Sequence, residues 1–233
     1  FKQKTAYEIR LSLVGSEMCI RDRFRSLWDS DKGKDVSFRV GCGDVHHIVL
    51  AHSSVLSIQC PDLYDIVSES GNNDDIEIEN TDADLFALLV HHMYHETLPG
   101  LDLEKDGFEL LKLANRFGYS DLKIDIEADL VGSSLLTAET AADFLLFADA
   151  NCCALLKEAA MDIVVSNYAQ VVKSNGWKSL KESSTLLVEV CEQLSKAPTS
   201  EDGNSVSALR KKCADMGLDV DGTREMLIER CRI

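Results

Sequence analysis

Histidine side chains that could bind a metal ion are concentrated in one part of this sequence. All six lie between positions 46 and 95, and His91 and His95 are four residues apart. That spacing places both rings on one face of a helix, as in many zinc sites. A zinc site needs further ligands, and a catalytic H-E-x-x-H motif needs a glutamate between the histidines. Because neither has an evident source, the sequence predicts no bound metal and no other cofactor.

The cysteines and glycines do not form a recognisable catalytic motif either. The eight cysteines contain no C-x-x-C pair, which favours reduced thiols in a nuclear or cytoplasmic protein over a disulfide framework. Cys152 and Cys153 are adjacent in an apolar run, so we expect them to pack as small hydrophobic residues in the middle of a helix. The segment Gly41–Asp44 lies between two predicted strands, whereas a phosphate loop leads from a strand into a helix. The sequence therefore predicts a protein that is not an enzyme.

Basic residues near the C-terminus could contact phosphate groups. Arg210, Lys211 and Lys212 are consecutive, and the Gly222–Arg224 segment would place backbone amides and a guanidinium group at a helix start. However, residues 206–233 contain six basic and five acidic side chains, in a chain whose formal net charge is −16. Because these basic contacts are few, any binding to phosphate groups should be weak and salt-sensitive.

The composition limits what the rest of the chain can do. Its 233 residues are 45% hydrophobic, enough for one or two packed domains. No apolar run reaches the length of about 18 residues that a membrane helix needs, and the negative charge argues against nucleic acid or anionic lipid as a partner of the main body. Residues 7–23 resemble translated sequencing adapter, so we expect residues 1–23 to be a non-native or disordered segment.

The pattern of apolar residues predicts strands followed by helices. Val36, Phe38 and Val40 alternate with polar residues, and the turn after them leads into a second strand, so the two form a hairpin. Pro61 divides the next segment into two short helices, since proline cannot sit inside a helix. A further strand contains Ile76 and Ile78. The helix after it should bury a stripe made of Leu85, Leu88, Leu89, His92 and Met93.

The remaining segments are predicted to be helical. Two more helices follow, separated near Gly118, and Thr137 is a credible N-cap for the next one. One helix is expected to run from Trp177 to the end of the segment at Leu194. Residues 196–205 are polar and contain proline and glycine, which indicates a linker, and residues 206–233 then form a small module.

This order of elements resembles the BTB/POZ fold. The similarity rests on "DVSFRV", "VHHIVLAHSSVLSIQCPDLYDIV", "IEIENTDADLFALLVHHMYHETLP" and "ELLKLANRFGYSDLK". The segment from Leu136 to Leu180 resembles the 3-box/BACK extension of speckle-type POZ proteins. The resemblance implies an α+β fold, with a BTB/POZ domain of short strands and a helical cluster over 24–130. An all-helical BACK-like extension over 131–195 follows it.

The resemblance also implies a function. Such proteins are homodimeric, non-enzymatic adaptors that bring protein substrates to a cullin-3 RING ubiquitin ligase. A hydrophobic-x-Glu motif in the loop before the third strand marks the cullin groove, and Val67-Ser68-Glu69 corresponds to it here, with Tyr94 as a further cullin-binding residue. An ordinary solvated glutamate at position 69 is the alternative interpretation.

The dimer interface of the family corresponds to four residues of this chain. Phe24, Leu27 and Trp28 match the helix before the first strand, and Val55 matches the first helix after the hairpin. The alternative is that these side chains pack within one molecule.

The C-terminal module resembles a SAP motif, which consists of a helix, an extended loop and a second helix. The matched positions are Leu209, Cys213, Gly217, Leu218, Gly222, Thr223, Arg224, Leu227, Ile228 and Arg230. By this resemblance, duplex DNA would bind Arg210, Lys211, Lys212, Gly222, Thr223 and Arg224. A protein contact and a purely structural helical hairpin are the other interpretations. A chromatin-associated or transcriptional regulator with a BTB and a SAP domain is therefore the alternative function.

Overall fold

The computed structural model describes residues 25–30, 32–42, 45–70, 75–195 and 205–231. The adapter-like segment, Phe24 and most of the predicted linker lie outside these residues. The chain divides into two compact units: the first runs to Asp102 and includes Phe108–Leu122, and the second contains Leu103–Gly107 and continues from Lys123. Among the described residues, no helix is both long enough and apolar enough to cross a bilayer.

The first unit contains a three-stranded sheet of β1 (Val36–Cys42), β2 (Val45–Ala51) and β3 (Ile76–Glu79). The order is β2-β1-β3, with β1 antiparallel to β2 and parallel to β3. The predicted hairpin and third strand are thereby confirmed. Alternation explains the burial, because every second residue of a strand faces the same side: Val36, Phe38 and Val40 are buried.

The first unit also contains three helices: α1 (Ser53–Gln59), α2 (Pro61–Ser70) and α3 (Ala83–His95). Helix α3 packs against β1 and β2. The break between α1 and α2 falls at Pro61, as predicted. Asp82 caps α3, since its carboxylate accepts hydrogen bonds from the amides of Asp84 (2.9 Å) and Leu85 (3.2 Å).

The buried face of α3 is rotated from the predicted stripe. Phe86 and Val90 are buried together with Leu89, His92 and Met93, whereas Leu85 and Leu88 are only half-buried. The cause is aromatic packing. The Phe86 ring packs edge-on against Phe38 and Phe117, with ring centroids 5.2 Å and 5.7 Å apart, respectively.

The helices α4 (Leu103–Arg116) and α5 (Ser120–Gly132) are separated at Gly118, as predicted. Gly118 has a φ of +63°, and a Cβ at this position would overlap the carboxylate of Asp62. Both the left-handed backbone and the close approach therefore require glycine.

The second unit continues with five helices: α6 (Ala141–Ala150), α7 (Ala154–Ser166), α8 (Tyr168–Val171), α9 (Gly176–Leu180) and α10 (Ser184–Ser195). Three details of the prediction are wrong. The N-cap of α6 is Thr140, not Thr137, and the Thr140 hydroxyl donates to the carbonyl of Leu135 (2.6 Å). The single helix expected from Trp177 onwards is two helices. Cys152 and Cys153 lie in the turn before α7, where Cys152 has a φ of +54°.

The C-terminal module consists of α11 (Val206–Asp215) and α12 (Arg224–Arg230). Both helices begin at a capping hydroxyl: Ser205 accepts from Ala208 N (3.3 Å) and Thr223 accepts from Met226 N (3.4 Å). The pair shares an apolar core with the start of α7, formed by Ala154, Val206, Leu209, Cys213 and Leu227. The architecture is therefore α+β: a small sheet with helices, a helical extension and a terminal helix pair.

Candidate functional site

The residues expected to bind cullin-3 lie at the end of α2. Val67 is half-buried, whereas Ser68 and Glu69 are exposed. The Ser68 hydroxyl donates to the carbonyl of Asp65 (2.9 Å), which is a bond of the helix's last turn. The three residues were expected in a loop, but they are helical. An apolar side chain and a carboxylate at a helix end can still form an anchor with a polar neighbour.

Tyr94, the fourth expected cullin-binding residue, lies in the core and is 2% exposed. Its hydroxyl accepts a hydrogen bond from the amide of His52 (2.9 Å) and lies 2.9 Å from Nδ1 of the same residue. Burial raises the pKa of the Tyr94 hydroxyl, so it stays protonated. Tyr94 thus positions the start of α1, and a role at a partner surface would be indirect.

The predicted helix face with His91 and His95 is an aromatic cluster around Trp28. The two imidazoles stack at 4.2 Å with an interplanar angle of 7°, and the Trp28 ring contacts His91 edge-on at 5.2 Å. Burial, with the neighbouring His91, lowers the pKa of His95 and favours its neutral form. In the part of the chain that the structure describes, no three potential ligands are grouped as a metal site would need.

The residues expected at the dimer interface are not equally accessible. Leu27 is 39% exposed, Trp28 is half-buried against α3, and Val55 is only 2% exposed. Val55 therefore belongs to the core of its own molecule. Ile58, one turn further along α1, is 70% exposed. Sequence reasoning missed Ile58, although the helical spacing of three residues from Val55 places it on a neighbouring part of the helix surface.

The basic residues expected to bind DNA are divided between buried and exposed positions. Arg210 is buried, and its guanidinium donates to Glu127 (2.9 Å) and to the carbonyl of Val220 (3.2 Å). Lys211 and Lys212 are exposed, although the Lys212 ammonium also donates to the carbonyl of Cys231 (3.2 Å). Of the three consecutive basic side chains, two therefore remain accessible to a phosphate.

The Gly222–Arg224 segment is also engaged within the second unit. Gly222 is buried and forms a parallel β-bridge with Cys153. The Thr223 hydroxyl is used as the N-cap of α12. Arg224 is half-buried, and its charge acts on the carboxylate of Glu158.

Besides the Arg210–Glu127 pair, a second ion pair links α5 to the C-terminal module. The Lys123 ammonium, 2% exposed, lies 3.1 Å from the Asp221 carboxylate. The Glu158 carboxylate accepts from the amide of Val206 (3.0 Å), and this bond caps α11. The helix pair is therefore held by polar contacts as well as by its apolar core.

A cleft of about 710 Å³ lies beside Thr223 and Arg224. Its carboxylates outnumber its cations: they are Asp149, Glu158, Asp162, Glu189 and Glu225, against Lys157 and Arg224. Lys157 already pairs with Asp149 and Glu189, both at 2.8 Å. Burial raises the pKa of Glu158 and of Asp162. The lining opposes phosphate at this edge of the helix pair.

Comparison with known proteins agrees with this architecture. A family model of the BTB/POZ domain matches residues 24–134, and a model of the SAP domain matches residues 202–230. TD and POZ domain-containing protein 4 of Mus musculus is 29% identical over 165 residues, which cover 70% of this chain and 43% of that protein. TD and POZ domain-containing protein 2 of the same species is 27% identical over 173 residues, covering 73% and 46%.

The chain thus spans less than half the length of these two relatives. The first match covers the three-stranded sheet and helices α1 to α5, and the second match covers the C-terminal helix pair. The chain therefore carries a BTB/POZ domain, a helical extension and a SAP domain.

Proposed function

We propose that this chain is a non-enzymatic adaptor that forms a homodimer and brings protein substrates to a cullin-3 ubiquitin ligase. The observation that carries the proposal is the BTB/POZ domain over residues 24–134, because domains of this kind typically mediate protein–protein contacts. The named relatives are TD and POZ domain-containing proteins, which is consistent with an interaction role.

The end of α2 is the surface that we assign to cullin-3. Ile66, which is 37% exposed, and half-buried Val67 offer apolar contact area, and exposed Glu69 offers a carboxylate beside them. An apolar anchor supplies most of the binding energy at such a contact, while the charge orients the partner. Tyr94 supports this surface only from the core.

The test is titration calorimetry of the chain with the cullin-3 scaffold. Replacing Val67→Lys together with Glu69→Lys removes the anchor and reverses the charge, which should cost about 2–4 kcal/mol of binding free energy. Affinity should then fall roughly 30- to 1000-fold. Val188→Lys with Glu192→Lys is the matched control, since both residues are exposed on α10, and its affinity should be unchanged. Absence of binding by the unmodified chain, or equal binding by the test variant, would contradict the proposal.

A second candidate function is a regulator that also binds duplex DNA through its SAP domain. The match over residues 202–230 and exposed Lys211 and Lys212 favour it. Two observations argue against strong phosphate binding there. Arg210 is already paired with Glu127, and carboxylates line the neighbouring cleft. We therefore place DNA binding second.

A further inference from the structure

Two cysteine side chains meet between the helices of the SAP domain. The sulfur atoms of Cys213, on α11, and Cys231, at the C-terminal end of α12, are 3.3 Å apart. Both are free thiols, and they lie 18 positions apart in the sequence. Their spacing in the sequence is not that of a redox motif, so only the packing of the two helices brings them together.

The separation is short enough for a covalent bond. A disulfide joins its sulfur atoms at about 2.05 Å, so bond formation needs the two atoms to approach by little more than about 1 Å. The backbone of both residues is hydrogen-bonded: Cys231 N donates to Leu227 O (3.0 Å), and Leu218 N donates to Cys213 O (2.9 Å). Small side-chain rotations, with no rearrangement of the helices, can supply this movement.

We propose that Cys213 and Cys231 are a redox modification site, at which a disulfide oxidant of the glutathione class converts the two thiols into a reversible disulfide. In the first step a Cys231 thiolate attacks one sulfur of glutathione disulfide, forms a mixed disulfide and releases one glutathione thiolate. In the second step Cys213 loses its proton and attacks the Cys231 sulfur, releasing the second glutathione. The two thiols are oxidised by two electrons and one glutathione disulfide is reduced to two glutathione molecules.

The order of the two steps follows from accessibility. Cys231 is partly exposed, whereas Cys213 is fully buried. Burial, with the adjacent Cys231 thiol, raises the pKa of the Cys213 thiol, so Cys213 is the poorer initial nucleophile. Once the mixed disulfide is formed, Cys213 already lies against its target and the second step is intramolecular.

The crosslink would act on the stability of the helix pair. The fully buried core of α11 and α12 consists of few side chains, among them Val206, Leu209 and Leu227. Small modules of this kind depend on staples. A bond between the ends of the two helices restricts the unfolded chain and should raise the melting temperature of the domain. The effect needs neither DNA nor cullin-3 and is therefore independent of the proposed function.

The test uses the full chain incubated with glutathione disulfide or with reduced glutathione, then alkylated and digested with trypsin. Arg224 and Arg230 lie between the two cysteines, so an internal disulfide appears as two linked peptides that lack the mass of two hydrogen atoms. We expect this linked species in the oxidised sample only, its faster formation at higher pH, and its reversal by dithiothreitol.

Matched variants give each outcome a meaning. Cys191 is exposed and serves as the control: Cys191→Ser should leave the linked peptides and the rise in melting temperature intact. Cys231→Ser should abolish both. If the oxidised unmodified chain carries only glutathione on Cys231, or retains two alkylated thiols at these positions, the proposal is overturned even where a variant fails to fold.

Discussion

Glu127 is a fully buried carboxylate whose partners belong to two other helices. It accepts hydrogen bonds from the amides of Leu155 (3.0 Å) and Leu156 (3.2 Å), and it pairs with Arg210 at 2.9 Å. Burying a charge is costly, and this cost is offset only when the charge is both paired and hydrogen-bonded. The same carboxylate caps α7 and holds α11, so its loss would affect both helices.

We expect Glu127→Ala to lower the free energy of unfolding by about 3–5 kcal/mol, because Arg210 would remain buried without its counter-charge. Urea unfolding followed by circular dichroism measures this change. The double variant Glu127→Ala/Arg210→Ala should lose less than the sum of the two single variants, since no unpaired charge then remains. Glu139→Ala is the control at an exposed position. A loss below about 1 kcal/mol would contradict the buried pair.

At the scale of elements, the sequence pattern correctly predicted those helices and strands whose bounds depend on neighbouring residues. Alternating Val36, Phe38 and Val40 predicted the first strand, and Pro61 predicted the break between two helices; both were confirmed. The start of α7 was predicted wrongly, because the apolar run containing Cys152 and Cys153 appeared continuous with the helix. The first amides of α7, those of Leu155 and Leu156, are capped by Glu127, which lies 28 positions before Leu155. A pattern of neighbouring residues cannot predict a cap from so far away in the sequence.

The candidate sites were less predictable than the elements for the same reason. A basic side chain in the sequence indicates charge but not its partner, so Arg210 appeared as accessible as Lys211. Tyr94 and Val55 matched family positions, but their burial depends on packing across the whole first unit. The resemblances to the BTB/POZ and SAP domains were confirmed, whereas the accessibility of each residue required the structure.

For α11 and α12, we expect weak binding to duplex DNA that depends on Lys211 and Lys212. With few accessible cations, the slope of log affinity against log salt should be roughly −2 to −3. Fluorescence anisotropy of a labelled duplex at two salt concentrations measures it. Lys211→Glu/Lys212→Glu should abolish binding, and Lys173→Glu/Lys178→Glu, which changes two exposed lysines elsewhere in the second unit, should reduce it much less. Equal loss in both variants would show that net charge, not the SAP domain, determines binding.

At the scale of the whole molecule, the net charge of −16 opposes self-association, so we expect apolar contacts to supply the favourable free energy of a dimer. Leu27 and Ile58 are the exposed apolar residues on the elements assigned to the dimer. We expect the chain to form a dimer at micromolar concentration and Leu27→Asp or Ile58→Asp to shift it to a monomer, because a carboxylate would enter an apolar interface without a partner. Light scattering after size exclusion measures the mass.

Val172→Asp is the control for this experiment, since Val172 is exposed to a similar extent as Leu27 but belongs to the second unit. It should remain a dimer. An unmodified chain that is monomeric at high micromolar concentration, or a Val172→Asp variant that dissociates equally, would count against the assigned interface.

The parallel pairing of β3 with β1 has a consequence for the time course of folding. Cys42 pairs with Val45, only three positions later in the sequence, whereas Phe38 pairs with Ile76 across 38 positions. Closing a long loop costs more entropy than closing a short one, and non-local pairings form more slowly. We therefore expect the β1–β2 hairpin to form first. The other edge of β1 then stays unpaired until β3 joins the sheet. During synthesis, this edge of β1 remains unpaired until Ile76–Glu79 have left the ribosome.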